Sequence, residues 1–286
     1  MAMEHSIRDQ CTVLIITHAT KTLPELGRKG TLVYPGAPKT ELLSKVLANI
    51  MEFTGLSNIL IAFDHKVDCQ VSLQYLNNLR QFCEANPCQL FVSPSALSMP
   101  SQLTATQAFV DALEAVQTDY FLLWEHDHVF TESIDWSILD SAFHHKAEMI
   151  RFNRRRNIAE VGPVPETPIP CSFSDNLCRT NFYCNGPFIA STQWCRDLYG
   201  KSQRFIPHWN GCFGGFIEGP INQYMLKQEL NLSSEEFFRE FPIYLYGAMG
   251  AFPIVSHFGD FPGRRTRIWR AMSGYLKSKL PFSKPN

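Results

Sequence analysis

Residues 119–128, DYFLLWEHDH, join a continuous apolar run directly to four consecutive ionisable residues. A short apolar run of this kind predicts a buried strand. Three earlier segments have the same composition: CTVLIIT at 11–17, SNILIAF at 57–63 and QLFV at 89–92. These four segments decide the fold, because they recur at intervals that leave room for a helix between each pair.

The intervening segments have helical periodicity. In ELLSKVLANIMEF the apolar residues fall on one face, and 71–82 and 101–116 show similar spacing. Strands that alternate with helices predict a mostly parallel sheet with helices on both faces. We therefore expect one α/β domain over residues 1–286, with a regular half at 9–130 and a more irregular half at 131–260.

The composition limits the class of protein. The 286 residues include 26 basic and 27 acidic side chains and are 45% hydrophobic, which predicts a folded globular protein and argues against a surface devoted to nucleic acid. The first ten residues are polar and no apolar run is long enough to span a bilayer, so we expect a cytoplasmic protein. No GxGxxG or Walker A loop is present, which argues against dinucleotide enzymes and P-loop NTPases.

Ionisable residues follow the predicted strands at their carboxyl ends, where open α/β sheets bind ligands. The most concentrated group is Glu125-His126-Asp127-His128. In an extended chain Glu125 and Asp127 share one face, and the two histidines share the other. Paired carboxylates suit Mg²⁺ or Mn²⁺, whereas paired imidazoles suit Zn²⁺.

An apolar strand followed by acid-x-acid, on a chain that begins with this alternation, resembles the DxD element of GT-A-type nucleotide-sugar glycosyltransferases. The resemblance implies a GT-A-like fold in which Glu125 and Asp127 hold Mn²⁺ or Mg²⁺, and the metal holds the donor diphosphate. Glu125 departs from the pattern, because the family has Asp there. The halves 9–130 and 131–260 then correspond to the nucleotide-sugar side and the acceptor side.

Further segments carry the same resemblance. PIVSHFGDFPGRR at 253–265 resembles the late segment that supplies another metal or diphosphate ligand. It implies His257 as a metal ligand and Arg264 and Arg265 as partners of phosphate oxygens. The nucleotide sugar is expected to contact residues at strand ends: Thr17, His18, Ala19, Asp64 and His126. The chain also resembles small soluble glycosyltransferases of large algal viruses, some of them xylosyltransferases. This resemblance rests on the chain length and on the segments WEHDH and SHFGDFPGRR together.

The segment FGGFIEGPINQYM at 213–225 contains a candidate catalytic acid. Pro220 fits the first turn of a helix, which places Glu218 just before the N-terminus, where the helix dipole favours the ionised carboxylate. In inverting GT-A enzymes an acid at an equivalent helix deprotonates the acceptor hydroxyl, and Glu218 matches it. The predicted reaction is metal-dependent transfer of a sugar from a UDP-sugar, UDP-xylose among the candidates, to a glycan hydroxyl with inversion. Trp194, Trp209 and Phe213 are expected on the acceptor side.

Three other functions stay open on the sequence. A nucleotidyltransferase of related fold would use a phosphate-clamping loop, for which Gly27-Arg28-Lys29-Gly30 is a partial candidate. A Zn²⁺ hydrolase would use His126, His128 and His257, and a non-catalytic carbohydrate-binding protein would need no metal. Residues 261–286 carry seven basic side chains and no acidic one. This tail is expected either to contact an anionic membrane or an acceptor phosphate, or to be a solvated helix.

Overall fold

A computed structural model of the chain describes residues 6–19, 39–95, 101–159, 166–208 and 217–257. Several sequence predictions lie outside these residues and are neither confirmed nor corrected. They concern the loop at 27–30, Trp209, Phe213, Arg264, Arg265 and the basic tail.

The described residues form eleven strands and seven α-helices. The strands are β1 (Cys11–His18), β2 (Ile59–Lys66), β3 (Gln89–Ser95), β4 (Tyr120–Glu125), β5 (His128–Phe130), β6 (Met149–Arg151), β7 (Ile169–Pro170), β8 (Leu177–Arg179), β9 (Phe188–Ser191), β10 (Ile243–Tyr246) and β11 (Val255–His257). The α-helices are α1 (Lys39–Thr54), α2 (Gln70–Ala85), α3 (Ser101–Ala115), α4 (Trp136–His144), α5 (Thr192–Ser202), α6 (Glu218–Glu229) and α7 (Ser234–Glu240). None of these helices combines the length and the apolar character that crossing a membrane requires.

Nine strands form one mixed sheet in the order β3-β2-β1-β4-β9-β6-β10-β8-β7. Strands β1 to β4 are parallel to their neighbours in this group, and β6 is parallel to β10. Strand β9 is antiparallel to both β4 and β6, and β7 and β8 form an antiparallel edge. The predicted α/β fold is confirmed, with a sheet that is parallel in its regular half and mixed in the other. Strands β5 and β11 form a separate two-stranded sheet.

Side chains of β1 alternate between two buried clusters, because successive residues of a strand point to opposite faces. Val13 and Ile15 belong to the cluster that contains apolar residues of α1, α2 and α4. Leu14 and Ile16 belong to the cluster that contains residues of α3, α5, α6 and α7. The sheet therefore has helices on both faces, as the apolar composition of the strands predicted.

Two short segments of the irregular half form structures that their local composition does not indicate. Residues 182–189 have the composition of a strand, but β9 begins only at Phe188, after a segment that includes Gly186 and Pro187. The Pro-rich composition of 162–170 favours a loop, yet Pro170 lies in β7 at the edge of the sheet. Proline is accepted at an edge because its missing N–H is not needed for pairing there.

The strand order reverses between β1 and β4. The chain proceeds from β1 to β2 and β3 on one side, whereas β4 pairs with the other side of β1. In open α/β sheets ligands bind beyond the carboxyl ends of strands at such a reversal. Those ends are His18 in β1 and Glu125 in β4.

Candidate functional site

The chain turns at His126 and Asp127, between the end of β4 and the start of β5. The expected alternation of faces over 125–128 is therefore wrong, because it assumed an extended chain. The turn brings His128 back to the carboxylates. Its Nδ1 lies 3.3 Å from Oε2 of Glu125 and 3.2 Å from Oδ1 of Asp127.

Glu125, Asp127 and His128 form a cluster of potential metal ligands, with one ligand atom from each residue within 4.8 Å of the others. The imidazole is buried, whereas the Glu125 and Asp127 side chains are 44% and 26% exposed. The indole N–H of Trp124 donates to the His128 carbonyl at 2.9 Å and fixes the backbone behind the imidazole. Two reachable carboxylates beside a held imidazole could hold a divalent cation, and Mn²⁺ accepts both donor types.

Strand β11 brings the predicted ligand His257 to this region through backbone pairing. β11 is antiparallel to β5, and His257 lies directly opposite His128 in the register. Only the backbone of His257 is described. Its role as a metal ligand stays a prediction. The strand pairing places its backbone next to that of His128.

His18 and His126 lie together at the reversal of strand order. Their ring centroids are 5.2 Å apart in an edge-to-face arrangement, and Nδ1 of His126 lies 3.4 Å from the Ile16 carbonyl oxygen. Among the described residues the metal-ligand cluster contains His128 and not His126. The zinc alternative, which needs His126 and His128 together, therefore lacks that pairing in the described part of the chain.

The remaining predicted nucleotide contacts differ in exposure. The Thr17 side chain is buried and its Oγ1 lies 2.8 Å from the phenolic oxygen of Tyr75, so this hydroxyl is used in the core. Asp64 is also buried and accepts a hydrogen bond of 2.7 Å from the Ser95 hydroxyl. Ala19 is half-buried. A ligand at this edge would meet His18 and Ala19 before it met the other two side chains.

Glu218 is the first residue of α6, whereas the sequence placed it just before the helix. Burial raises the pKa of its carboxyl to about 7. A hydrogen bond from Cys184 and the charge of Arg151 lower the pKa, while the charges of Glu125 and Glu166 add to the increase. The sequence predicts an ionised carboxylate here, whereas burial leaves the group only partly ionised at neutral pH. A carboxyl with a pKa near 7 is suited to general acid–base catalysis at neutral pH.

Buried polar groups fix the chain around Glu218. Asn222, one helical turn further along α6, accepts from the Tyr183 N–H and donates to the Tyr183 carbonyl, both at 2.9 Å. The buried guanidinium of Arg151 donates to the neighbouring carbonyl of Phe182 at 2.8 Å and forms an ion pair with Glu166. These contacts connect α6 to the end of β6. The sequence did not reveal them, because a buried Arg–Glu pair separated along the chain leaves no local pattern.

Trp194 lies near the amino end of β4, whereas Glu125 lies at its carboxyl end. The predicted place of Trp194 on the acceptor side is therefore wrong. Trp194 follows Ser191, which pairs with Tyr120 at the amino end of β4. A cavity of about 530 Å³ also lies at this end of β4 and includes Tyr120 and Ser191 in its lining. The candidate site is therefore placed at the clustered ionisable groups beyond the carboxyl ends of the strands and not at this cavity.

The chain matches no protein-family model and no curated protein sequence. One similar solved structure is a protein described as a glucose-1-phosphate thymidylyltransferase from Bacillus anthracis, in complex with a sucrose. It has 11% identity and a TM-score of 0.43, and the match covers 96% of this chain and 98% of that one. Another is a CMP:2-keto-3-deoxy-manno-octonic acid synthetase in complex with CTP, with 9% identity, a TM-score of 0.42 and coverages of 93% and 100%. Likenesses this low carry no weight in choosing between sugar transfer and nucleotidyl transfer.

Proposed function

We propose that this protein is a metal-dependent glycosyltransferase that moves a sugar from a nucleoside diphosphate sugar to a hydroxyl of a glycan. The observation that carries the proposal is the cluster of Glu125, Asp127 and His128 at the reversal of strand order. It combines a candidate cation site with the edge where an α/β sheet binds its ligand.

The donor set fits a divalent cation such as Mn²⁺ or Mg²⁺. Two carboxylates supply hard oxygen ligands, and the imidazole of His128 favours Mn²⁺ over Mg²⁺. When bound, such a cation offsets the negative charge that develops on the departing diphosphate, which lowers the activation free energy by several kcal/mol. His257, Arg264 and Arg265 are proposed as further partners of the metal or the diphosphate.

Glu218 is the proposed general base. As a carboxylate it accepts the proton of the acceptor hydroxyl while that oxygen bonds to the anomeric carbon and the bond from that carbon to the diphosphate breaks. The proton ends on Glu218 and the electron pair on the leaving group, so the step balances without a covalent intermediate. Attack opposite the leaving group inverts the configuration. A positioned base of this kind contributes roughly 10²–10⁴-fold to the rate.

The nucleotide is proposed to lie beyond the carboxyl ends of β1 and β2. His18 and His126 offer imidazole faces there, whereas Asp64 lies buried near the end of β2 and would reach a nucleotide only beyond His18. Because the Thr17 hydroxyl is bonded to Tyr75, Thr17 would contribute through its backbone. We propose a uridine nucleotide as the donor, on the resemblance to GT-A enzymes.

Nucleotidyl transfer is the second candidate, because it too brings a divalent cation and a nucleotide together beyond the carboxyl ends of the strands. The metal cluster is compatible with either reaction. Glu218 favours sugar transfer, because an alcohol must lose its proton to attack, whereas a sugar phosphate already carries anionic oxygen at neutral pH.

The products separate the two reactions. The protein would be incubated with Mn²⁺ and, in one arm, UDP-sugars with an acceptor glycan. The other arm would contain nucleoside triphosphates with sugar 1-phosphates. Sugar transfer predicts release of nucleoside diphosphate in the first arm only, abolished by Asp127→Asn and kept by the exposed control Asp175→Asn. Pyrophosphate release in the second arm alone would overturn the proposal.

A further inference from the structure

Two loops at the carboxyl edge of the sheet form a surface that the proposed reaction does not use. Residues 153–159, NRRRNIA, and 247–254, GAMGAFPI, contain three arginines and no acidic residue. β6 is parallel to β10 and antiparallel to β9, and β9 is antiparallel to β4. The carboxyl ends of β4, β6 and β10 therefore lie at one edge, so these loops share that edge with the metal cluster.

Asn157 holds the two loops together. Its buried side-chain amide donates to the carbonyls of Tyr246 and Gly247, both at 2.9 Å. Its backbone N–H donates to the Ala251 carbonyl at 3.3 Å, and its carbonyl accepts from the Gly250 N–H at 2.9 Å. Gly247 and Gly250 have φ values of 96° and 76°, a conformation that favours glycine. The two loop backbones are thus joined by hydrogen bonds into one platform.

The platform presents apolar side chains to solvent. Phe252 is 71% exposed, Ile158 is 51% exposed and Met249 is 44% exposed. The guanidinium carbon of Arg156 lies 3.8 Å from the centroid of the Phe252 ring, and Arg154 is also exposed. We call residues 154–158 and 249–252 the Arg–Phe surface. Exposed apolar groups beside cations on a fixed loop are typical of an interaction surface.

We propose that the Arg–Phe surface binds the surface of an anionic lipid bilayer. The arginines complement negatively charged headgroups, while Phe252, Met249 and Ile158 enter the boundary between headgroups and acyl chains. An acidic polymer would neutralise the arginines but leave the apolar side chains in water. The bilayer is the partner that satisfies both halves of the surface. The Arg–Phe surface consists of other residues than the basic tail at 261–286.

Binding in this orientation turns the carboxyl edge of the sheet toward the bilayer. If the proposed function holds, the acceptor glycan is then carried by a lipid, because Glu218 and the metal cluster belong to that edge. This last step rests on the proposed function, whereas bilayer binding itself does not.

The test is co-sedimentation of the full chain with vesicles of phosphatidylcholine alone and of phosphatidylcholine with phosphatidylglycerol. We expect binding to the anionic vesicles only. Arg154→Gln and Arg156→Gln should each lower the partition coefficient roughly fivefold, and Phe252→Ser should lower it roughly tenfold. Leu230→Ser is the matched control, because Leu230 is 81% exposed but lies at the end of α6. Circular dichroism melts confirm that each variant is folded.

Unchanged vesicle binding in Phe252→Ser and in both arginine variants would overturn the proposal, as would equal loss in Leu230→Ser. Absence of wild-type binding to anionic vesicles, with heparin binding that Phe252→Ser leaves intact, would identify an acidic polymer instead. Transfer to a soluble acceptor is measured in parallel and should be unchanged in Phe252→Ser. Absence of sugar transfer by the wild-type protein would refute the proposed function, whereas the conclusion from vesicle binding would be unaffected.

Discussion

Replacing Glu218 with glutamine should stabilise the metal-free protein at alkaline pH while it abolishes activity. Burial raises the pKa of this carboxyl from 4.5 to about 7, so the folded state holds a proton more tightly than the unfolded chain does. Stability contributed by this group is therefore full below about pH 4.5 and is lost progressively as the pH rises from there to about 7. Glutamine resembles the protonated form and cannot ionise, so the variant avoids that loss.

The expected magnitude follows from the same difference in pKa. It corresponds to at most about 3 kcal/mol at pH 8, an upper bound because the side chain is partly accessible. In a chain of this size each kcal/mol changes Tm by roughly 2–4 °C. Glu218→Gln should therefore raise Tm by several degrees at pH 8 and by a much smaller amount at pH 5, where only the first part of that stability has been lost.

The assay is thermal unfolding by circular dichroism in the presence of a chelator, at both pH values, for wild type and variant. Glu229→Gln is the matched control, because Glu229 is an exposed carboxylate at the other end of the same helix. Equal Tm changes at pH 5 and pH 8 would refute the burial argument. A Glu218→Gln variant that keeps kcat within tenfold of the wild type would refute the assignment of the general base.

Three further predictions follow from the site. With Mn²⁺ bound, the cation should offset the Glu125 charge that helps to raise the Glu218 pKa. The ascending limb of the plot of kcat against pH should therefore lie below about pH 7, and an ascending limb above pH 7 would contradict this. Arg151→Met should lower the free energy of unfolding, measured in urea, by roughly 3–5 kcal/mol, because it leaves Glu166 without its ion-pair partner. The exposed control Arg154→Met should have little effect, and similar losses in both variants would be inconsistent with the buried pair. Trp194→Ala should leave kcat/KM for transfer unchanged, because Trp194 lies at the opposite edge from Glu125; a tenfold loss would restore Trp194 to the acceptor side.

The regular half of the fold was predictable because local patterns determine it. The run at 11–17 became β1, and its alternating residues divide between two cores, as buried parallel strands require. Helix α3 begins at Ser101, as its spacing predicted. Local apolar periodicity is strong in these elements, and long-range contacts reinforce it.

The candidate site was predictable in composition and not in geometry. The sequence identified Glu125, Asp127 and Glu218, but Glu125-His126-Asp127-His128 contains no glycine or proline to indicate the turn that brings His128 to the carboxylates. The pKa of Glu218 also depends on burial by distant segments, which its place at a helix N-terminus does not indicate. Both features arise from tertiary contacts that no local pattern encodes.

A titration of the metal-free chain with Mn²⁺, monitored by electron paramagnetic resonance with and without UDP, tests whether Asp127 helps to hold a cation that also binds a diphosphate. We expect one bound ion per chain, tighter binding when UDP is present, and loss of both effects in Asp127→Asn. Binding of Mn²⁺ that is equally strong in Asp127→Asn, or that UDP does not change, would refute metal-dependent sugar transfer at this site.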